Sequence, residues 1–182
     1  GNAALNPRAM QRQPITMDDY MSARPIVDPF RMLDICLESD GACAVLVTSA
    51  ERAQDMRHAP VYVMSGANGG GANQGDDLFD CLRWEDHSEN YSAYIAHDLW
   101  GGAGIGPEDI DVAEIYDCFT YSVVAQLEGL GFCKPGEGPN FVQGGRIARD
   151  GALPLNTHGG LLSEAYIHGL NHVVEAVDQL RG

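Results

Sequence analysis

Two short runs in the first third of the chain carry apolar residues at successive positions, Gly41-Ala42-Cys43-Ala44-Val45-Leu46-Val47 and Val61-Tyr62-Val63-Met64. Apolar residues on both faces are the pattern of a buried strand. Ser49-Ala50-Glu51-Arg52-Ala53 between them starts a helix, so this stretch predicts a β-α-β unit. Ser92 to Trp100 has helical spacing and is ended by Gly101-Gly102-Ala103-Gly104, after which Pro107-Glu108-Asp109 introduces a strand, Val112 to Tyr116. Phe119 to Leu130 is again helical, with Val123, Val124, Leu127 and Leu130 on one side. Leu153-Pro154-Leu155 is short and extended. Ile167 to Leu180 is the last helix, and Val173, Val174, Val177 and Leu180 form its expected buried stripe.

The segments between these elements are polar or broken by glycine and proline. Residues 1–30, with Pro7, Pro14, Pro25 and Pro29, read as an arm or connection, and residues 31–182 as the folded domain. Thr16-Met17-Asp18-Asp19 resembles a helix N-cap with acids in the first turn, which favours one short helix in the arm. Gly66 to Gly75 is glycine-rich but carries neither phosphate-loop spacing, so it reads as a mobile loop. Asp80, Glu85, Asp86 and His87 have no diagnostic ligand spacing and read as a solvated segment. No metal site is expected.

Composition narrows the partners. The 182 residues and 45% apolar content suit one globular domain or a large part of one. A formal charge of -15, with Lys134 the single lysine, leaves no cationic footprint for nucleic acid or an anionic membrane. There is no apolar run long enough to span a bilayer and no secretory pattern at the start, so a cytoplasmic protein is expected. Cys36, Cys43, Cys81, Cys118 and Cys133 show no C-x-x-C spacing and read as small buried hydrophobes.

Two stretches hold the candidate chemistry: Glu114-Ile115-Tyr116-Asp117-Cys118-Phe119 and Asn156-Thr157-His158-Gly159-Gly160, the latter continuing through Tyr166 to His168. With Leu5-Asn6-Pro7-Arg8-Ala9, Ser39-Asp40-Gly41-Ala42 and the closing Gln179-Leu180-Arg181-Gly182, they make nearly the whole chain resemble the C-terminal half of a thiolase-superfamily enzyme. The group it resembles is the sterol-carrier-protein type and its relatives in bacterial steroid degradation. The fold this resemblance implies is α/β, a layered α-β-α domain with a mixed sheet. It also implies a similar N-terminal half carrying the nucleophilic cysteine, and a last pair of strands after the final helix.

The departures from the family pattern redirect the chemistry. Tyr116 stands where the resembling thiolases carry the His of a His-Asp-Cys-Phe motif, and Tyr166 where they carry the His of a Gly-His-Pro motif. A phenol with a pKa near roughly 10 is a poor replacement for an imidazole that activates a thiol near neutral pH. Paired tyrosines resemble instead the lipid-transfer-protein-type steroid side-chain aldolases. That resemblance implies retro-aldol cleavage of a 17-hydroxy steroid side-chain acyl-CoA to a 17-keto steroid and propionyl-CoA.

Such a lyase needs a base at the tertiary hydroxyl, donors at the thioester oxygen and an acid at the α-carbon, and no covalent nucleophile. Tyr116 and Tyr166 are the expected proton-transfer groups. Asn156, His158, Gly159, Gly160 and His168 are the expected substrate contacts, and Cys118 reads as buried. His168 and His172 have i, i+4 spacing on one helical face, but no H-E-x-x-H motif accompanies them. No cofactor is expected beyond the CoA thioester of the substrate itself. The resemblance implies a homodimer and a small OB-fold partner attached to a hydratase. Competing readings are a thiolase or acetyl-CoA acetyltransferase, and a non-catalytic thiolase-like subunit that binds acyl-CoA.

Overall fold

The computed structural model describes residues 1–71, 74, 84–86, 88 and 90–182. In chain order the regular elements are α1 (Met17–Ser22), β1 (Pro25–Val27), β2 (Phe30–Arg31), α2 (Ala50–Gln54), α3 (Tyr91–Ala103), α4 (Thr120–Gly129), α5 (Gly138–Phe141), α6 (Gly160–Ser163) and α7 (Leu170–Arg181). They divide between two compact units. One comprises residues 1–62, 111–122 and 145–182, the other residues 63–110 and 123–144.

In the first unit the buried apolar residues are Ala3, Ala9, Ala113, Ile115, Leu153, Leu155 and Leu161, so its core gathers around the two motif-bearing stretches. The segment expected as an arm is bonded along one of them. Asn2 Nδ2 donates to Leu155 O at 2.7 Å, Asn6 Nδ2 to His158 O at 2.9 Å, and Met10 N to Glu164 O at 3.0 Å. The expected short helix is α1, with a reciprocal capping box: Asp19 N donates to Thr16 Oγ1 and Thr16 N to the Asp19 carboxylate. Asp34, 5% exposed, ties α1 and β2 to the start of α4 by accepting from Tyr20 Oη, Arg31 N and Thr120 Oγ1 at 2.9, 2.7 and 2.6 Å.

The expected strands are mostly absent among the described residues. α2 forms where a helix start was read, but Gly41–Val47 and Val61–Met64 carry no strand pairing, and Leu46, Val47 and Val63 are 79–85% exposed. A strand exists only through a partner's ladder, and none of the described residues provides one. Val112–Tyr116 forms a single parallel bridge, Ala113 to Leu155, and Ile35 an antiparallel one to Phe119. Beyond the bridge a side chain replaces the ladder: Asn156 Oδ1 accepts from Ile115 N at 2.7 Å and Asn156 Nδ2 donates to Ile115 O at 2.8 Å. The one regular sheet among the described residues is the antiparallel pair β1–β2.

α7 departs from the expected pattern most. Its buried residues are Asn171, His172 and Glu175, while Val173 and Leu180 are exposed and Val174 and Val177 half-buried. Hydrophobicity alone misplaced the helix because its buried polar face is matched by polar partners, which removes most of the cost of burying it.

In the second unit, α3 runs further than expected, through Gly101 and Gly102 to Ala103. Gly104 then takes φ 72°, and its amide closes on Trp100 O at 2.8 Å, so the left-handed glycine and not the first glycine ends the helix. Trp100 Nε1 donates to Leu130 O, and Trp84 packs edge-on against Tyr91 and Tyr94. Val123, Ala125 and Leu127 of α4 are buried, in line with the expected stripe at Val123 and Leu127. Asp80, Cys81 and His87 lie outside the described residues, as do residues 72, 73 and 75 of the glycine-rich loop. Glu85 and Asp86 are exposed.

Candidate active site

The site lies within the first unit, where the end of the 113–118 run meets the loop and turn between Asn156 and His168. Tyr116 Oη and Tyr166 Oη are 2.5 Å apart, with ring centroids 6.3 Å apart and inclined at 67°. Both residues are half-buried. Burial, then the hydrogen bond with Tyr166, pushes the Tyr116 phenol above its usual range. The sequence put these tyrosines fifty positions apart, and the fold joins them hydroxyl to hydroxyl.

Each tyrosine is held through its backbone. Ile115, just before Tyr116, is clamped by the Asn156 amide, and Asn156 reaches it from a left-handed conformation, φ 47°. Both ends of that amide are committed to the Ile115 backbone. The Ala165–Tyr166 peptide is held at both of its polar atoms: Tyr166 N donates to Ser39 Oγ at 3.1 Å, and Ala165 O accepts from Asn171 Nδ2 at 3.0 Å. Gly169, φ 85°, abuts the Tyr116 ring, where a Cβ would sit 3.1 Å from Cδ2.

Asp117, 2% exposed, caps α6: Leu161 N and Leu162 N donate to its carboxylate at 2.8 and 3.3 Å. The same carboxylate fills the space that a Cβ on Gly160 would need, and Gly160 has φ 66°. The Gly159 amide is taken by Asn156 O at 2.9 Å. The two glycines thus permit a turn whose geometry L side chains rarely adopt.

Behind the tyrosines is a buried charged cluster that the sequence pattern did not assemble. The His172 ring is 5% exposed, with Nδ1 3.2 Å from Glu114 Oε2 and Nε2 3.1 Å from Asp117 Oδ1. His158 stands edge-on to it at 5.0 Å, its Nδ1 3.2 Å from Glu114 Oε2 and its Nε2 3.4 Å from Glu164 Oε2. Thr157 Oγ1 links Glu114 to Glu175, and Asn171 Nδ2 reaches Glu164 Oε2 at 3.1 Å.

Burial disfavours the His172 cation, but Asp117 and then Glu114 outweigh it and raise its pKa to about 9. Glu114 is held at about 2 against the effect of burial, by His158 first and then His172. Glu114, His158 and His172 also place one ligand atom each within 4.8 Å of one another, the spacing a metal would require.

His158 is therefore enclosed by carboxylates, 3% exposed. His168 is exposed, with φ 53° and its ring 5.4 Å from that of Tyr166. The expected shared helical face of His168 and His172 does not form, because α7 begins at Leu170 and leaves His168 in the turn. Cys118 is half-buried, its Sγ 3.3 Å from Ser122 Oγ. The signal for the missed cluster was the polar i, i+4 pair Asn171 and Glu175, with His172 beside them on an otherwise valine-bearing helix.

Residues 84–182 match the model of the thiolase C-terminal domain-like family. The chain belongs to that family. Over its full length it is 43% identical to the 17-hydroxy-3-oxo-4-pregnene-20-carboxyl-CoA lyase of Mycobacterium tuberculosis and, again at 43%, to a steroid side-chain-cleaving aldolase of Thermomonospora curvata. It is 33% identical to an acetyl-CoA acetyltransferase of Methanothermobacter thermautotrophicus. Among solved structures it superimposes along its whole length on a chain of the Ltp2-ChsH2(DUF35) aldolase, at TM-score 0.94 and 42% identity. That likeness bears out the thiolase-like α/β fold. The chain spans about half the length of the relatives it matches, 46–47% of each. No helix among the described residues is long and apolar enough to cross a membrane.

Proposed function

We propose that this chain is the tyrosine-bearing half of a retro-aldol carbon-carbon lyase that cleaves a 17-hydroxy steroid side-chain acyl-CoA to a 17-keto steroid and propionyl-CoA. The observation that carries the reading is the 2.5 Å contact of Tyr116 Oη with Tyr166 Oη. The activities of the relatives at 43% identity supply the substrate class.

In the cleavage, the tertiary hydroxyl gives up its proton as the bond between C17 and the carbon α to the thioester breaks. The electron pair passes into the thioester enolate, and the α-carbon then takes a proton. A pair of phenols in direct hydrogen bond can carry that proton from oxygen to carbon: one oxygen accepts it, the shared proton shifts, and the other oxygen delivers its own. Both phenols end neutral. A phenol is protonated near pH 7, as a donor in such a relay must be, and the upward shift of Tyr116 only reinforces that state. Thiolysis would call for an imidazole at one of these positions, and both are phenols.

The protein works as a homodimer in the cytoplasm, with a DUF35-type partner of OB fold attached to a hydratase and CoA supplied as part of the substrate. Arginines from outside this acidic chain meet the CoA phosphates. His168, exposed beside Tyr166, and the turn at Gly159 and Gly160 flank the acyl-CoA.

The test uses the full-length protein with its partner and a 17-hydroxy steroid side-chain CoA ester, with propionyl-CoA read by mass spectrometry. Tyr116→Phe and Tyr166→Phe are each expected to lower the rate by about a hundredfold or more while leaving the fold intact. Thiol-dependent acetyl transfer that survives both changes would replace the lyase reading with a thiolase one.

A further inference from the structure

The buried cluster behind the tyrosines has a directional arrangement. Its contacts to the two tyrosine-bearing segments converge on adjacent residues at the start of α7. His172 lies between the carboxylates of Glu114 and Asp117, two positions before and one after Tyr116. Asn171 donates to Glu164 Oε2 and to Ala165 O, the residue and the peptide just ahead of Tyr166. Gly169, next in line, seats the Tyr116 ring. One rigid helix start therefore touches both sides of the hydroxyl pair.

We propose that Asn171 and His172 are positioning residues that jointly set the Tyr116–Tyr166 hydroxyl contact, His172 through the carboxylates flanking Tyr116 and Asn171 through the Ala165–Tyr166 peptide. The proposal rests on the reading of the tyrosine pair as the proton-transfer groups. It assigns no chemistry to His172, whose ring nitrogens face Glu114 and Asp117 and whose ring is 5% exposed. The charged and titratable groups around it are Glu114 and Asp117 from the 113–118 run and His158 from the loop, with Glu175 on its own helix held to Thr157.

Energetics favour this over simple packing. Four carboxylates, those of Glu114, Asp117, Glu164 and Glu175, and two imidazoles within one buried cluster are costly to assemble unless they are paired, and a paired network fixes one geometry instead of many. A relay between two phenols depends steeply on their separation, so a displacement of about 1 Å at either tyrosine can cost roughly a hundredfold in rate.

The experiment uses the full-length protein with its partner and two readouts. The first is the kcat and KM of propionyl-CoA release. The second needs no substrate: the downfield proton NMR resonance of the short inter-tyrosine hydrogen bond, assigned by its disappearance in Tyr116→Phe. Asn171→Ala and His172→Gln are expected to lower kcat by about ten- to a hundredfold with KM within about threefold, and to shift the resonance upfield or abolish it. Ser39→Ala removes the other hold on the Tyr166 peptide and leaves the buried charges intact. It is expected to do the same to a smaller degree, and it decides the matter if either α7 variant fails to fold.

A folded Asn171→Ala, His172→Gln or Ser39→Ala protein with wild-type kcat and an unmoved resonance overturns the proposal, as does a rise in KM alone. If the wild type releases no propionyl-CoA, the lyase reading falls, while the resonance still decides whether α7 sets the pair.

Discussion

Raising the pH from about 6.5 to about 9.5 is expected to remove on the order of 3 kcal/mol of stability through one side chain, His172. Burial pulls this imidazole toward its neutral form, but the carboxylates of Asp117 and Glu114, at 3.1 and 3.2 Å, reverse that and hold its pKa at about 9 against 6.5 when unfolded. A folded pKa above the unfolded one means the native state binds the proton more tightly, so the gain is complete below about pH 6.5 and fades as the pH rises through about 9. At about 1.4 kcal/mol per unit, two to three units amount to about 3 kcal/mol.

On the acid side the sign reverses. Glu114 falls from 4.5 to about 2, so its contribution is present above about pH 4.5 and lost as the pH drops toward 2. Part of this is the same Glu114–His172 pair seen from the other partner, and it is counted once. The assay is urea unfolding of the full-length protein at several pH values, for the wild type and His172→Gln. The wild type is expected to be most stable between about pH 5 and 6.5, and the variant to lose less than about 1 kcal/mol over the alkaline limb. Equal alkaline losses in both proteins would refute the assignment to His172.

Two further predictions concern the backbone. Gly160→Ala would drive a Cβ into the Asp117 carboxylate at φ 66°, so a loss of about 2 kcal/mol or more is expected, with a lowered thermal midpoint and a displaced α6. Asp34→Ala would free three donors at once, those of Tyr20, Arg31 and Thr120, and limited proteolysis is expected to cut near α1 markedly faster than in the wild type.

The helices were the legible part of this sequence because their signals are local. The Thr16–Asp19 capping box, the glycine that ends α3 and the Val123–Leu127 stripe of α4 need nothing from distant residues. The strands were less legible because pairing is not local. Gly41–Val47 and Val61–Met64 have the right composition for strands but no ladder among the described residues, and Val112–Tyr116 has one bridge and an asparagine side chain where a second strand would be. Tyr116 and Tyr166 could be singled out from the motifs around them. Their contact could not, since a distance across fifty residues is set by the packing of everything between.

The cluster of Glu114, Asp117, His158, Glu164, Asn171 and His172 was invisible for a different reason. Glu114, Asp117, His158 and Glu164 fall in the motif-bearing stretches, but nothing local shows that they meet, and on α7 Asn171 and His172 share a helix with valines that look like the natural core stripe. What reverses the helix is polar pairing: Asn171 Nδ2 has Glu164 and Ala165 O, Glu175 has Thr157, and His172 lies against two carboxylates, although Asn171 Oδ1, His172 Nε2 and His158 Nδ1 have no well-aligned hydrogen bond. A fold needing only a stable helix here could have buried the valines. Burying the polar face instead ties α7 to the residues on either side of Tyr116 and to those just ahead of Tyr166, and two hydroxyls held 2.5 Å apart require that kind of fixation. The polar core and the tyrosine pair are thus one structural solution.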